Sequence, residues 1–215
     1  MELPDEGRPF IYAITAGKAT DENFTDTITE ITRQVTEAVD ENVSMVQIRE
    51  KQLLGRHLFE LVSACAEITR GSPTTLLVND RADIAAAAGA DGVHLTGSSI
   101  PVSVVRASFG EKLIIGVSVH TAEEAVNASQ GGADFVLFGP VFETPGKGPG
   151  TGLDVLTRIC SALAPFPVIA LGGIDAANCS AVIRTGSAGV AGIRSFADRE
   201  SLRSLRNALE DDRSQ

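Results

Sequence analysis

The chain has 215 residues, of which 43% are hydrophobic and 21% are charged. This composition is typical of one ordinary globular domain that is long enough to bury a sizeable core. The formal net charge of −10 opposes binding to the phosphate backbone of nucleic acids, so nucleic acid is not an expected partner. A local cluster of cations can still bind a small phosphate.

The cysteines and the apolar runs indicate the compartment. Cys65, Cys160 and Cys179 lie far apart without metal-ligand spacing or a redox pair, which predicts reduced thiols in the core. Residues 1–8 are acidic and lack the apolar segment of a secretory signal. No apolar run approaches the roughly 20 residues that span a membrane. We therefore expect a cytoplasmic protein without membrane association.

Short apolar runs alternate with amphipathic or alanine-rich segments from end to end. The predicted strands are, in chain order, Phe10–Thr15, Met45–Ile48, Thr75–Asn79, Gly92–Leu95, Leu113–Val119, Phe135–Gly139, Pro167–Ala170 and Gly189–Ile193. Predicted helices include Leu54–Thr69, Thr121–Ser129 and Ala177–Thr185. This alternation is typical of parallel βαβ units. Eight repeats favour an α/β fold with one (β/α)₈ (TIM) barrel domain, the barrel covering about residues 10–208 between short polar tails.

An open doubly wound sheet is the alternative fold. Such a sheet usually carries a glycine-rich dinucleotide loop after its first strand, and Thr15-Ala16-Gly17-Lys18 is no such loop. Three similar junctions, Gly89–Val93, Gly132–Val136 and Gly186–Val190, instead lead into the fourth, sixth and eighth strands. Glycine can end a helix in the left-handed conformation before a strand begins, so this weak repeat supports the barrel.

Polar residues collect where the second and third strands end, which is the functional end of a (β/α)₈ barrel. If the extended backbone continues past the second strand, Gln47, Arg49 and Lys51 share one side, where two cations and an amide suit phosphate oxygens. A solvated charged loop is the alternative. After the third strand, Asn79 could donate to phosphate and Asp80 could bind magnesium, or either could simply cap the next helix.

The three histidines have different predicted roles. Ser118 and His120 lie two residues apart at the end of the fifth strand, and His120 could move a proton near neutral pH. His57 lies in the middle of a predicted helix and is expected to be exposed. His94 lies within a strand and is expected to be a hydrogen-bonded core residue.

The loops after the last three strands also suit anions. The glycine-rich loop 139–152 contains Thr144 and Lys147, and it is either a closing active-site loop or a flexible connector. Barrels often bind phosphate with backbone N–H groups after strands seven and eight. Gly172 and Gly173 permit close approach there, and the neighbouring loop carries Ile193 and Arg194.

Six motifs in combination carry a resemblance to a known family. They are Val46–Lys51, Val78–Arg81, Gly89–Leu95, Gly116–His120, Gly139–Phe142 and Leu171–Ile174. With them, the chain from about Ile11 to Ala197 resembles the thiamine-phosphate synthase family and its relative, the TenI-type thiazole tautomerases. In such synthases a hydroxymethylpyrimidine pyrophosphate loses pyrophosphate, and the nitrogen of a thiazole phosphate attacks the resulting cation.

The resemblance implies a role for each candidate residue. Gln47 would contact the pyrimidine, and Asp80 would bind Mg²⁺. The residues expected to hold pyrophosphate are Arg49, Lys51, Asn79, Ser118 and Lys147. The residues expected to hold the thiazole phosphate are Thr144, Gly173, Ile193 and Arg194. The implied partners are small phosphorylated pyrimidines and thiazoles, and a homo-oligomer is left open.

Three departures from the family pattern leave the activity open. Ser99 stands where the second magnesium carboxylate is expected, Gly146 replaces a loop threonine, and Arg194 replaces a phosphate-loop serine. In TenI-type proteins a histidine matching His120 moves protons as the thiazole ring aromatises. We rank the synthase first and the tautomerase second. A non-catalytic binder of phosphate ligands ranks third.

Overall fold

Eight parallel strands close into a barrel in a computed structural model that describes residues 8–144, 146, 148–194 and 198–211. Sequential strands pair with one another, and β8 pairs with β1. The strands are β1 (Phe10–Ile14), β2 (Met45–Ile48), β3 (Thr75–Asn79), β4 (Gly92–Leu95), β5 (Ile114–Val119), β6 (Phe135–Phe138), β7 (Val168–Leu171) and β8 (Gly189–Gly192). The helices are α1 (Phe24–Asp40), α2 (Gly55–Thr69), α3 (Ala82–Ala88), α4 (Val102–Phe109), α5 (Ala122–Gln130), α6 (Leu153–Leu163), α7 (Cys179–Ile183) and α8 (Arg199–Asp211).

The prediction of a (β/α)₈ barrel is confirmed, and the open sheet is wrong because β8 closes onto β1. The predicted strands differ from the observed ones by at most one residue at an end. The predicted helix Ala177–Thr185 is too long, because α7 covers only Cys179–Ile183. Side chains hold its predicted start in a turn, where the Ala177 N–H donates to Asp175 Oδ1 at 2.9 Å. Of the predicted polar tails on either side of residues 10–208, residues 1–7 and 212–215 lie outside the described residues, and α8 continues to Asp211.

The three cysteine thiols lie in the core, as predicted. All three cysteines are free and buried. Burial raises the pKa of the Cys65 thiol to about 12, so this group stays protonated and packs as a small apolar side chain. In the described ranges, no helix combines the length and the apolar character that a membrane crossing requires.

The barrel interior is filled by alternate side chains of the strands, since successive residues of a strand point to opposite faces. In the register of β5 and β6, Gly116 lies opposite Phe135. A Cβ atom at Gly116 would lie 2.3 Å from Cζ of the fully buried Phe135 ring. The ring also packs edge-on against Tyr12, with centroids 5.7 Å apart. The glycine therefore supplies the volume that the aromatic ring occupies.

A buried carboxylate joins the first and last helices of the ring. Glu41 caps the C-terminus of α1 and is 3% exposed. Arg199 and Arg203 of α8 each donate to its Oε1 at 2.7 Å, and Arg206 donates to Oε2 at 2.8 Å. Burial alone would raise the pKa of Glu41, but the hydrogen bonds from Arg199 and Arg203 outweigh it and hold the pKa below its ordinary value. This Glu41–arginine cluster stabilises the point where the ring of helices closes.

Gly116→Ala should lower the free energy of unfolding by about 1–3 kcal/mol, because the added methyl group overlaps a ring that has no room to move. Chemical denaturation measures the change. Gly97→Ala is the matched control, since a Cβ there meets nothing within 4 Å. Equal unfolding midpoints for the two variants would contradict this account of the interior.

Glu41→Gln should cost about 1–3 kcal/mol of stability near neutral pH, less than for a fully buried pair because the arginines are partly exposed. A carboxyl whose pKa is lower in the folded state stabilises the protein above its unfolded pKa of about 4. That stability is lost as the pH falls through the folded pKa, so parent and variant should converge in acid. Urea unfolding across this pH range tests the expectation.

The exposed pair Glu67–Arg70 provides the control for this variant. Glu67→Gln should change stability by no more than about 0.5 kcal/mol. A deficit of Glu41→Gln that stayed constant down to strong acid would show that the charge of Glu41 is not what stabilises the cluster.

Candidate active site

A cavity of about 700 Å³ opens at the C-terminal ends of β6, β7 and β8. It brings together five predicted substrate-binding residues, which are Thr144, Gly172, Gly173, Ile193 and Arg194. Arg194 and Ile193 are exposed at the rim, whereas Gly172 is buried. The predicted Lys147 of the same mouth lies outside the described residues.

Close backbone packing fixes the floor of this cavity and requires glycine at two positions. Gly172 and Gly173 have φ angles of +105° and +66°, which side chains rarely adopt. A Cβ on Gly172 would lie 2.6 Å from Cα of Pro140, and one on Gly173 would lie 2.8 Å from Cβ of Phe142. The Phe142 N–H also donates to the Gly172 carbonyl at 3.0 Å. The loops after β6 and β7 are thereby held together as one surface.

Four polar groups form a hydrogen-bonded chain across the barrel just below the mouth. Gln47 Nε2 donates to Tyr12 Oη at 2.9 Å, Tyr12 Oη bonds His94 Nδ1 at 3.0 Å, and His94 Nε2 bonds Ser118 Oγ at 2.8 Å. Burial, and secondly the charge of Arg49, lowers the pKa of His94 to about 3, so its ring is neutral. Burial raises the pKa of Tyr12, which keeps its proton. The expectation that His94 is a hydrogen-bonded core residue is confirmed.

The alignment of Gln47, Arg49 and Lys51 on one side assumed that extension continues past the strand, and β2 ends at Ile48. Gln47 is buried in the barrel, Arg49 is half-buried and Lys51 is exposed in a turn. Between Arg49 and Lys51, the buried carboxylate of Glu50 accepts N–H groups of the loop after β1. These bonds come from Gly17 at 3.0 Å and Ala19 at 2.7 Å.

Sequence reasoning missed both Glu50 and Tyr12. Each is recognisable only through partners about thirty or more residues away in the chain, and no local spacing reveals such a pairing.

Asp80 faces the residue at which the family pattern departs. The Ser99 hydroxyl donates to Asp80 Oδ1, and Thr96 Oγ1 lies 3.1 Å from Ser99 Oγ. The capping alternative for Asn79 and Asp80 is wrong, because the N-cap of α3 is the next residue, without a side-chain capping bond. Asn79 is instead buried in β3, and the Asp80 N–H donates to the His94 carbonyl at 2.9 Å.

The oxygen donors around Asp80 suit magnesium only together with a ligand. Within the ranges that the structure describes, no group of three or more histidine, cysteine or acidic residues could hold a metal ion. One carboxylate and two hydroxyls are nonetheless hard donors, and Mg²⁺ is commonly bound by one or two carboxylates plus substrate phosphates. The residues fit a magnesium site that a phosphorylated substrate completes.

His120 is held by its backbone and by one ring nitrogen. Its N–H donates to Glu124 Oε2 at 2.6 Å, and its Nδ1 lies 2.7 Å from the Gly139 carbonyl oxygen. A carbonyl only accepts, so Nδ1 carries a proton, and Nε2 is the ring nitrogen that is left to exchange a proton with a ligand. The residue is exposed at the mouth, which suits exchange of a proton with a ligand.

The expectation that His57 is exposed is wrong. Its side chain is 17% exposed, because its ring stacks on Phe24 with centroids 4.3 Å apart. Its Nδ1 also bonds Asp21 Oδ1 at 2.5 Å, and this hydrogen bond lowers the pKa of Asp21. The partners lie before and at the start of α1, so the helical context of His57 alone could not reveal them.

Comparison with known proteins identifies the family. The family model for thiamine monophosphate synthase matches residues 11–196. The chain belongs to the thiamine monophosphate synthase family. It is 39% identical over 188 residues to the thiamine-phosphate synthase of Roseiflexus castenholzii, covering 86% of this chain and 79% of that protein.

Two further members of this family show the same similarity in sequence and in structure. The thiamine-phosphate synthase of Haloarcula marismortui is 38% identical over 187 residues, which cover 84% of this chain and 85% of that protein. The solved structure of thiamine phosphate pyrophosphorylase from Pyrococcus furiosus superposes with a TM-score of 0.82 at 31% identity, over 94% and 96% of the two chains. The resemblance inferred from the sequence is therefore confirmed.

Arg194→Ala should weaken the binding of thiazole phosphate or inorganic phosphate by about tenfold or more, as expected for loss of a charge-assisted hydrogen bond. Isothermal titration calorimetry measures the affinity. Arg158→Ala removes an exposed arginine from α6 and is the control for net charge. An unchanged dissociation constant for Arg194→Ala would remove its guanidinium from the site and leave only the backbone donors.

Proposed function

We propose that this chain is a thiamine-phosphate synthase, which joins hydroxymethylpyrimidine pyrophosphate to thiazole phosphate and releases pyrophosphate. The observation that carries the proposal is the presence of two sets of anion-suited groups on opposite arcs of one barrel mouth. One set belongs to β2 through β5, and the other lines the cavity at β6 through β8. Two sets suit a reaction between two substrates that each carry phosphate.

The arc from β2 to β5 would hold the pyrophosphate. Its candidate groups are Arg49, Lys51, Asn79 and Ser118, with Lys147 from the loop after β6. When the bond between the pyrimidine methylene carbon and the pyrophosphate oxygen breaks, the electron pair leaves with pyrophosphate. Cations and hydrogen-bond donors fixed where this negative charge develops lower the barrier. Gln47, at the end of β2, would contact the pyrimidine.

Asp80 would hold Mg²⁺, with the hydroxyls of Ser99 and Thr96 beside it. When bound, the metal ion neutralises part of the pyrophosphate charge and orders its oxygens. Ser99 contributes no charge to this site. The carboxylate of Asp80 accepts the Ser99 hydroxyl, and this bond would be exchanged when a cation binds.

The cavity at β6 to β8 would hold the thiazole phosphate. Gly172 and Gly173 let the ligand approach the backbone, and Thr144 and Arg194 offer a hydroxyl and a guanidinium. Ile193, which is 36% exposed, offers an apolar surface next to them. Held there, the thiazole ring nitrogen would attack the pyrimidine methylene cation that forms when pyrophosphate has departed.

A TenI-type thiazole tautomerase is the second candidate function. The observation in its favour is the arrangement of His120, whose Nδ1–H donates to Gly139 and leaves Nε2 as a base at the mouth. The neutral Ser99 beside Asp80 also favours it, since a proton transfer on the thiazole needs no magnesium-bound pyrophosphate.

Two variants, Ser99→Asp and His120→Ala, separate the two functions. Each is measured in a synthase assay and in an assay for isomerisation of the thiazole. For a synthase, Ser99→Asp should lower the Mg²⁺ concentration that half-maximal turnover requires, because it adds an anionic ligand beside Asp80. His120→Ala should retain synthase turnover within about threefold, since loss of pyrophosphate needs no base. Formation of thiamine phosphate from both substrates is the measurement.

For a tautomerase, His120→Ala should lower isomerisation of the thiazole about a hundredfold or more, and Ser99→Asp should bring no gain. The parent could instead show robust synthase turnover at low Mg²⁺, with no change in Ser99→Asp. That result would contradict the expectation that the missing carboxylate at Ser99 raises the Mg²⁺ requirement. Turnover in neither assay would contradict both functions.

A further inference from the structure

The hydrogen-bonded chain below the mouth has one end that a ligand can reach. Gln47, Tyr12 and His94 are 1%, 0% and 2% exposed, whereas Ser118 is half-buried at the end of β5. The four residues come from β2, β1, β4 and β5, so the chain crosses the barrel interior. Buried polar groups are costly unless they are paired. A hydrogen-bonded chain of four polar side chains in a barrel core therefore calls for a functional explanation.

The direction of each hydrogen bond follows from the chemistry of its two atoms. The amide Nε2 of Gln47 only donates, so Tyr12 Oη is the acceptor of that bond. The single proton of the Tyr12 hydroxyl is then directed to His94 Nδ1, which must be the unprotonated nitrogen of the neutral ring. The proton of that ring is therefore on Nε2, from which it is donated to Ser118 Oγ.

We propose that Tyr12, acting through His94, sets the Ser118 hydroxyl as a hydrogen-bond donor towards an anionic ligand at the mouth. The inference rests on the proposed function, in which Ser118 contacts the departing pyrophosphate. Tyr12 and His94 are too buried to touch a substrate, so they are positioning residues. Because Ser118 Oγ already accepts from His94, its own proton is turned away from the ring and towards the mouth.

The tautomer of His94 is the element that Tyr12 controls. Without the phenolic hydroxyl, Tyr12 no longer fixes His94 Nδ1 as the unprotonated nitrogen, and the tautomer with its proton on Nδ1 becomes accessible. Nε2 would then accept from Ser118, which draws the hydroxyl proton away from the pyrophosphate. A donor aimed beforehand at a developing negative charge lowers the barrier, whereas a donor that must first rotate contributes less.

A double-mutant cycle tests whether Tyr12 acts through Ser118. Ser118→Ala should lower kcat/KM for the pyrimidine pyrophosphate by about a hundredfold to a thousandfold, the range for loss of one anion-stabilising donor. Tyr12→Phe should lower it by about tenfold. The double variant should match Ser118→Ala, because the positioning has no effect once the hydroxyl is absent. The KM for thiazole phosphate should stay unchanged. If the loss of kcat/KM in the double variant were the product of the losses in the two single variants, the proposal would be overturned.

The same variants give a spectroscopic signature that a purely structural role would not produce. NMR of isotopically labelled histidine nitrogens should show His94 protonated on Nε2 in the parent and shifted towards Nδ1 in Tyr12→Phe. Thr74→Val is the matched control, because it removes a buried hydroxyl that donates to the Val43 carbonyl at 2.8 Å, away from this chain. It should change neither the His94 signals nor the kinetics.

Two further arms keep the outcome clear if a variant or the activity fails. If Tyr12→Phe does not fold, His94→Gln is compared with His94→Leu. The glutamine amide can still donate to Ser118, whereas leucine cannot. Equal activity of these two variants would overturn the proposal. If the parent has no synthase turnover, the proposed function has failed, and the cycle is repeated on the affinity for inorganic pyrophosphate with Mg²⁺. Independent effects of Tyr12→Phe and Ser118→Ala on that affinity then overturn the positioning role separately.

Discussion

The structure depends on a fixed interior volume, because eight paired strands close into a ring that can neither widen nor slide without breaking hydrogen bonds. Large and small side chains must alternate within it. Phe135 occupies the space that Gly116 leaves, and Tyr12 packs on the edge of that ring. The hydroxyl of Tyr12 then bonds Gln47 and His94 just below the mouth. The same packing that fills the core thus supplies the foundation of the candidate active site.

Two glycines that follow β7 apply the same packing constraint at the mouth of the barrel. Gly172 and Gly173 allow two loops to approach within distances that any side chain would prevent, and they leave a cavity in front of the backbone. In the proposed function, an acidic protein would bind an anionic substrate there because the recognition is local. Backbone N–H groups and a few cations at one mouth would outweigh a net charge that is spread over the whole surface.

The sequence predicted the barrel well because its signals are local. Apolar runs of four to seven residues, separated by helical segments, identify every strand within one residue at each end. The collection of Thr144, Gly172, Gly173, Ile193 and Arg194 into one cavity was predictable from the rule that parallel strands share a functional end. The sequence did not predict contacts between residues that are far apart in the chain. After Ile48, Glu50 accepts a hydrogen bond from the Ala19 N–H, and the ring of His57 stacks on Phe24. Neither partner is encoded in the pattern of its own segment.

The Glu41–arginine cluster has a consequence for the order of events during synthesis. Glu41 emerges from the ribosome early, yet its three cationic partners belong to α8, more than one hundred and fifty residues later. Until that helix is available, Glu41 lacks these three counter-ions, and the ion pairs that join α1 to α8 cannot form. The ring of helices is therefore completed only after the last helix has been translated. A chain released earlier would lack the three arginines that bind Glu41.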